Sequence, residues 1–213
     1  MITIRSINFE TADWVQFESN DNCTTWHNDR RELLFLHYFA IHPDIPCALN
    51  DLTALRDSYR FGVNQSGGGL ISVNVVRIQG LLGTRTIFKF PQQPSGNAYV
   101  ASLTFPFRDF SFVIKLQCPE SHATGRRETS ILEQLRLAGE LEMSPVTGTP
   151  VGWAKDPYDP SLTIGNQMTV AEEVRYDNLF PDHPLSRARN FLTRVANSIT
   201  FAPEVLNAAP FVK

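Results

Sequence analysis

His27, His37, His42, His122 and His183 are the residues most able to do chemistry, because imidazole serves both proton transfer and metal binding near neutral pH. None stands in an H-E-x-x-H or other close ligand spacing, so the sequence marks no metal site, and nothing in it marks a cofactor. His37 lies inside an apolar run and reads as a core residue or one on a second sheet face. His42-Pro43-Asp44 sets an imidazole and a carboxylate two residues apart in a loop, with no nucleophile marked beside them. His42 and Asp44 therefore define the pocket of an alternative function, a small-molecule-binding protein or a hydrolase-like enzyme. No serine occupies a G-x-S-x-G elbow. Cys23, Cys47 and Cys118 are odd in number and widely spaced, so they form no disulfide framework or zinc motif and read as inert thiols. No catalytic residue is assigned, and the chain reads as a non-enzyme.

Gly67-Gly68-Gly69 leads into a strand and lacks a following Gly-Lys-Ser/Thr. Phosphate loops lead from a strand into a helix, so this stretch reads as a helix-to-strand connection. Glu172-Glu173 are about 100° apart on a helix and suit a positive helix N-terminus better than paired acid and base roles. The segment Trp153-Ala154-Lys155-Asp156-Pro157-Tyr158-Asp159-Pro160 gathers two acids and two aromatics between prolines. It lacks the glycine turn and final carboxylate of a calcium loop. Trp153, Asp156, Tyr158 and Asp159 are accordingly the candidate partner-binding surface, with a rigid turn cluster as the plainer reading. In Tyr176 to Arg189 two prolines fix a corner, and Arg187 and Arg189 can pair with Asp177 or Asp182.

The elements that must position these residues follow from periodicity. Ile2, Ile4, Ile7 and Phe9 suggest an opening strand, and Trp14, Phe17 and Trp26 flank a hairpin turn at Ser19-Asn20-Asp21-Asn22. Glu32 to Ala40 reads as a central strand. Leu49, Leu52, Leu55 and Tyr59 recur at three and four, giving a helix that Asn50 can cap. Strands follow at Leu70 to Ile78, Thr84 to Phe90, Ala98 to Phe105 and Phe110 to Gln117, with connections short enough to make the last three antiparallel neighbours. Glu128 to Ala138 reads as a helix. Thr169 with Glu172 forms a capping box that opens one further helix, and Pro184 opens another, with Asp182 and His183 as candidate caps.

This is an α+β pattern: an antiparallel meander covered by helices, α/β/α sandwich-like, with a Pro/Gly-rich arm and C-terminal helices. The expected organisation is a core domain over 1–142, with a wrapped arm and two docked helices over 143–213, in one structural unit. A net charge of −3 supplies no global basic field, so neither nucleic acid nor an anionic membrane is an expected partner. The N-terminus lacks an export pattern, and the longest apolar stretch, Leu33 to Ile41, is far short of the ~20 residues that span a bilayer; a cytoplasmic location is expected.

Leu33 to Ala40, Asn50 to Tyr59, Leu70 to Ile78 and Phe110 to Leu116, in the order strand, helix, meander, helix, resemble the Mog1/PsbP-like α/β/α sandwich group over about residues 24–138. The resemblance implies a protein that binds without catalysis: a GTPase adaptor, a photosystem subunit or a secretion chaperone. No functional residue is carried over. The expected function is a non-enzymatic protein-binding module, an adaptor, accessory chaperone or immunity-type protein of a bacterial cell, with another protein as its partner and an oligomeric state that the sequence leaves open.

Overall fold

The computed structural model describes residues 1–121 and 124–213. Its strands and helices run β1 (Ile7–Asn8), β2 (Val15–Ser19), β3 (Cys23–His27), β4 (Leu33–Phe39), α1 (Leu52–Gln65), β5 (Gly69–Ile78), β6 (Leu81–Pro91), β7 (Asn97–Pro106), β8 (Ser111–Pro119), α2 (Arg126–Leu137), β9 (Ala154–Lys155), β10 (Met168–Thr169), α3 (Pro184–Ser198), β11 (Thr200–Phe201) and α4 (Pro203–Leu206). Seven strands form one antiparallel sheet in the order β2-β3-β4-β8-β7-β6-β5. The fold is α+β, as the element pattern predicts. None of the described helices is long and apolar enough to cross a membrane.

The period of two puts Leu34 and Leu36 of β4, Phe112, Ile114 and Leu116 of β8, and Ala101, Leu103 and Phe105 of β7 on one face, all buried. That face needs a cover of matching length. α3 supplies it by packing on β7 and β8 through Leu185, Ala188, Phe191, Leu192 and Val195. The element order predicts that α1 and the helix after β8 cover the sheet; α2 instead packs against the turns that follow the arm, through Ile131 and Leu135.

α1 lies on the opposite face at the β5 end, where Leu55 and Val63 meet Leu70 and Val73. Its cap is Asp51 and not Asn50: the Asp51 carboxylate accepts the Ala54 amide at 3.0 Å. The opening strand is shorter than its apolar pattern suggests, since Ile4–Ser6 forms a 3-10 turn and only Ile7–Asn8 pairs, with β11. Thr169 and Glu172 do make a capping box, but on two consecutive 3-10 turns, Val170–Glu172 and Val174–Leu179, in place of an α-helix.

Gly67-Gly68-Gly69 has a specific backbone task. Gly67 closes α1 at φ 73°, where a Cβ is unfavourable. A Cβ on Gly69 would stand 1.6 Å from the carbonyl oxygen of Asn166, because the arm crosses there, with the Asn166 amide donating to Gly68 O at 3.3 Å.

Candidate functional site

The arm residues proposed as a partner surface are turned into the chain itself. Asp156 is buried and accepts Nε and Nη2 of Arg60 at 2.7 and 2.9 Å, a bidentate pair. Burial pushes the Asp156 carboxyl up, but Arg60 and the amides of Tyr158 and Asp159 outweigh it and hold the group below the ordinary range. Tyr158 puts its hydroxyl on the edge of β5, accepting the Val73 amide at 2.7 Å and donating to the Val73 carbonyl at 3.1 Å, while the Arg56 guanidinium lies 3.6 Å over its ring. Trp153 is half-buried against the Ile131 and Tyr176 cluster, and Asp159 caps its own turn through Ser161. Tyr158 ties the arm to the outermost strand β5, Asp156 ties it to α1 and Trp153 to the α2 side, while Asp159 shapes the turn between them. The plain turn-cluster reading accounts for them.

The loop of the alternative function is open to solvent. His42 and Asp44 are exposed; His42 donates from Nδ1 to the Arg108 carbonyl at 2.7 Å and stacks on Phe211, and neither residue lines the two clefts of about 600 and 490 Å³. The imidazole and carboxylate thus form no enclosed pocket.

The second sheet face is more informative. α1 covers it over β5, but no closely packed helix among the described residues continues the cover over β7, β8, β4 and β3. One cross-strand row there runs Thr86, Ser102, Lys115, Phe35, Thr25, Glu18. Along β4, Phe35, His37 and Phe39 form a stacked ladder with ring centroids 5.6 and 5.5 Å apart. Burial, reinforced by Lys115, lowers the His37 pKa and so favours the uncharged ring between the two phenylalanines. Lys115 itself sits 4.7 Å over Phe35. On the edge strand β2, Phe17 packs against His27, and Val15, Phe17 and Phe39 are 60%, 55% and 43% exposed. β2 has an unpaired edge and a bulge between Gln16 and Glu18. The apolar run of β4 predicts a central strand and marks no site on it. Its one signal was that both alternating sets of β4 are apolar or aromatic, which a strand with a single covered face does not need.

The ionisable groups buried deepest gather where α2, the two 3-10 turns and α3 meet β6 and β7. Lys89 donates to Glu172 at 2.7 Å and Tyr99 donates to the same carboxylate at 2.8 Å, so the capping-box glutamate also neutralises an interior lysine. Arg127, fully buried, donates to Ala171 O, Ser186 Oγ, Glu173 O and Asp177 Oδ1. Arg189 also donates to Asp177, at 2.7 Å, whereas Arg187 reaches Glu32. Beside this network Glu120, Glu128 and His183 converge, their ligand atoms within 4.8 Å of one another. Burial raises the Glu128 pKa; Glu120, although burial raises it too, is held low by His183 and by the amides of Asn97 and Gly125. His122 lies outside the described residues, and His27 and His37 belong to the open face.

No family model matches the chain, and no curated protein matches it. Among solved structures it is similar to the Ran-binding protein Mog1p of Saccharomyces cerevisiae, at 9% identity and a TM-score of 0.44, over 94% of this chain and 93% of that one. It is also similar to cyanobacterial PsbP from Synechocystis, at 12% identity and a TM-score of 0.37, over 63% and 84%. A protein of Bacteroides thetaiotaomicron matches at 12% identity and a TM-score of 0.35; 63% of this chain is covered, and the chain spans 41% of that protein's length. Both names in the resemblance drawn from the element order occur among these neighbours.

Proposed function

We propose that the chain is a non-enzymatic protein-binding module that docks its partner on the open sheet face between β2 and β7. The observation that carries this reading is the Phe35-His37-Phe39 ladder, half-buried at Phe35 and His37 and exposed at Phe39, on a face that α1 covers over β5. Rigid aromatic side chains that lose little entropy on contact are the usual anchors of protein interfaces. Lys115 is the one charge at the centre of the ladder row, so the matching partner surface presents an apolar side chain flanked by a carboxylate. The unpaired β2 edge extends the same surface with backbone donors and acceptors.

The test is affinity capture from the native source with the unaltered chain, Phe39→Asp and Lys115→Glu, with sedimentation of each purified protein. A partner held by the unaltered chain and lost, at least tenfold, by both variants supports the reading. Equal retention by the variants, or sedimentation showing that the face only joins two copies of this chain, overturns it.

A further inference from the structure

Glu120, Glu128 and His183 come from the residue after β8, the first turn of α2 and the residue that opens α3, and their candidate ligand atoms lie within 4.8 Å of one another. The His183 side chain is 9% exposed and that of Glu120 6%. His183 Nε2 faces Glu120 Oε1 at 3.4 Å, an ion-pair contact that is long and poorly aligned for a hydrogen bond and is the only polar contact of Nε2 among the described residues. Glu128 Oε2 is buried with no partner among the described residues. Buried polar atoms are almost always paired, so a Glu128 oxygen without a partner among the described residues, beside a loosely aligned imidazole–carboxylate contact, is an arrangement that a bound cation would satisfy.

We propose that these three side chains form a divalent transition-metal site, of zinc type, that pins the starts of α2 and α3 to the end of the sheet. Two ligands at 2.0–2.2 Å from a tetrahedral zinc stand roughly 3.4 Å apart. That is the Glu120 to His183 separation, which is long for an N–H···O bond. A donor set of one imidazole nitrogen and two carboxylates suits zinc better than magnesium or calcium, which prefer all-oxygen shells. Three protein ligands leave a fourth position for water.

The chemistry of His183 gives the site a signature. In the metal-free chain its Nδ1 accepts the Leu185 amide at 3.3 Å, so the ring proton resides on Nε2. Metal takes the Nε2 lone pair only when that proton is transferred through solvent to Nδ1, which breaks the long cap contact and exchanges it for a metal–nitrogen bond. No net proton leaves the ring. The histidine therefore has two separable roles, and His183→Asn divides them: asparagine is a strong helix cap but removes the imidazole ligand.

The experiment is calorimetric titration of the chelator-treated full chain with Zn²⁺ and, separately, Mg²⁺, together with melting curves. The expected result is one Zn²⁺ per chain, a raised melting temperature at saturation, and at least tenfold weaker Mg²⁺ binding. His183→Asn should melt as the metal-free parent does and bind Zn²⁺ at least tenfold more weakly. Should that variant fail to fold, Glu128→Gln provides the same comparison. Zinc affinity equal in parent and variant, Mg²⁺ binding as tight as Zn²⁺, or an unchanged melting temperature would overturn the proposal.

Discussion

Asp156 and Arg60 show how one residue pair fixes the arm. The bidentate geometry and the two backbone amides make the carboxylate hard to replace, since asparagine keeps the shape but leaves the Arg60 guanidinium with only the exposed Asp57 as counter-charge. Asp156→Asn should cost about 2 kcal/mol, the order found for hydrogen bonds to charged groups, read from denaturant unfolding at pH 7. The pH dependence has a definite sign. Because the folded carboxyl lies below its unfolded value of 3.8, its contribution is complete above about pH 4 and fades as the pH falls through the folded value. The parent should therefore lose its advantage over the variant in acid. A gap that persists undiminished at pH 2 would mean that the pair is not what holds the arm. Sequence distance limits foresight at this scale. His183 was legible as a cap because a cap is local, and Arg189 with Asp177 because twelve residues separate them. Arg60 with Asp156, or Glu120 with His183, are joined only by the folded chain.

At the level of elements, the arm and the glycine run explain each other. β5 is an outer strand whose Val73 amide and carbonyl face away from β6, and the Tyr158 hydroxyl satisfies both. That closes one edge against unwanted pairing. For the arm to reach it, backbone must cross backbone at Gly69, with no room for a side chain. Gly69→Ala should therefore lift the 156–166 stretch and cost about 1–3 kcal/mol, the usual penalty of overpacking. Limited proteolysis should cut the variant within the arm well before the parent; identical cleavage would show that the crossing tolerates a methyl group. The sequence could announce three glycines between a helix and a strand but not what passes over them. Hairpins and meander strands were legible for the opposite reason, since alternation and turn residues are local signals. The cover was misassigned because α2 and α3 both have an apolar stripe, and periodicity does not say which surface a stripe meets.

At the scale of the whole molecule, the sheet and α3 of the C-terminal third share one core. Leu185, Phe191, Leu192 and Val195 are each at most 3% exposed, all against β7, β8 and their neighbours. At about 1.5–3 kcal/mol for each buried aliphatic or aromatic side chain, α3 contributes on the order of 10 kcal/mol of burial. That is comparable with the entire stability of an ordinary domain, roughly 5–15 kcal/mol. Lys89, 3% exposed at its side chain, would also lose the Glu172 carboxylate that compensates it. A fragment of residues 1–142 retains all seven sheet strands, and by strand content alone it should fold. Burial and charge predict otherwise: the fragment should lack the cooperative unfolding transition and dispersed amide spectrum of the full chain, and adding residues 143–213 as a separate peptide should restore both. A fragment that folds cooperatively by itself would show that the sheet holds without α3, and would return the boundary near residue 142 to being a true limit of the core.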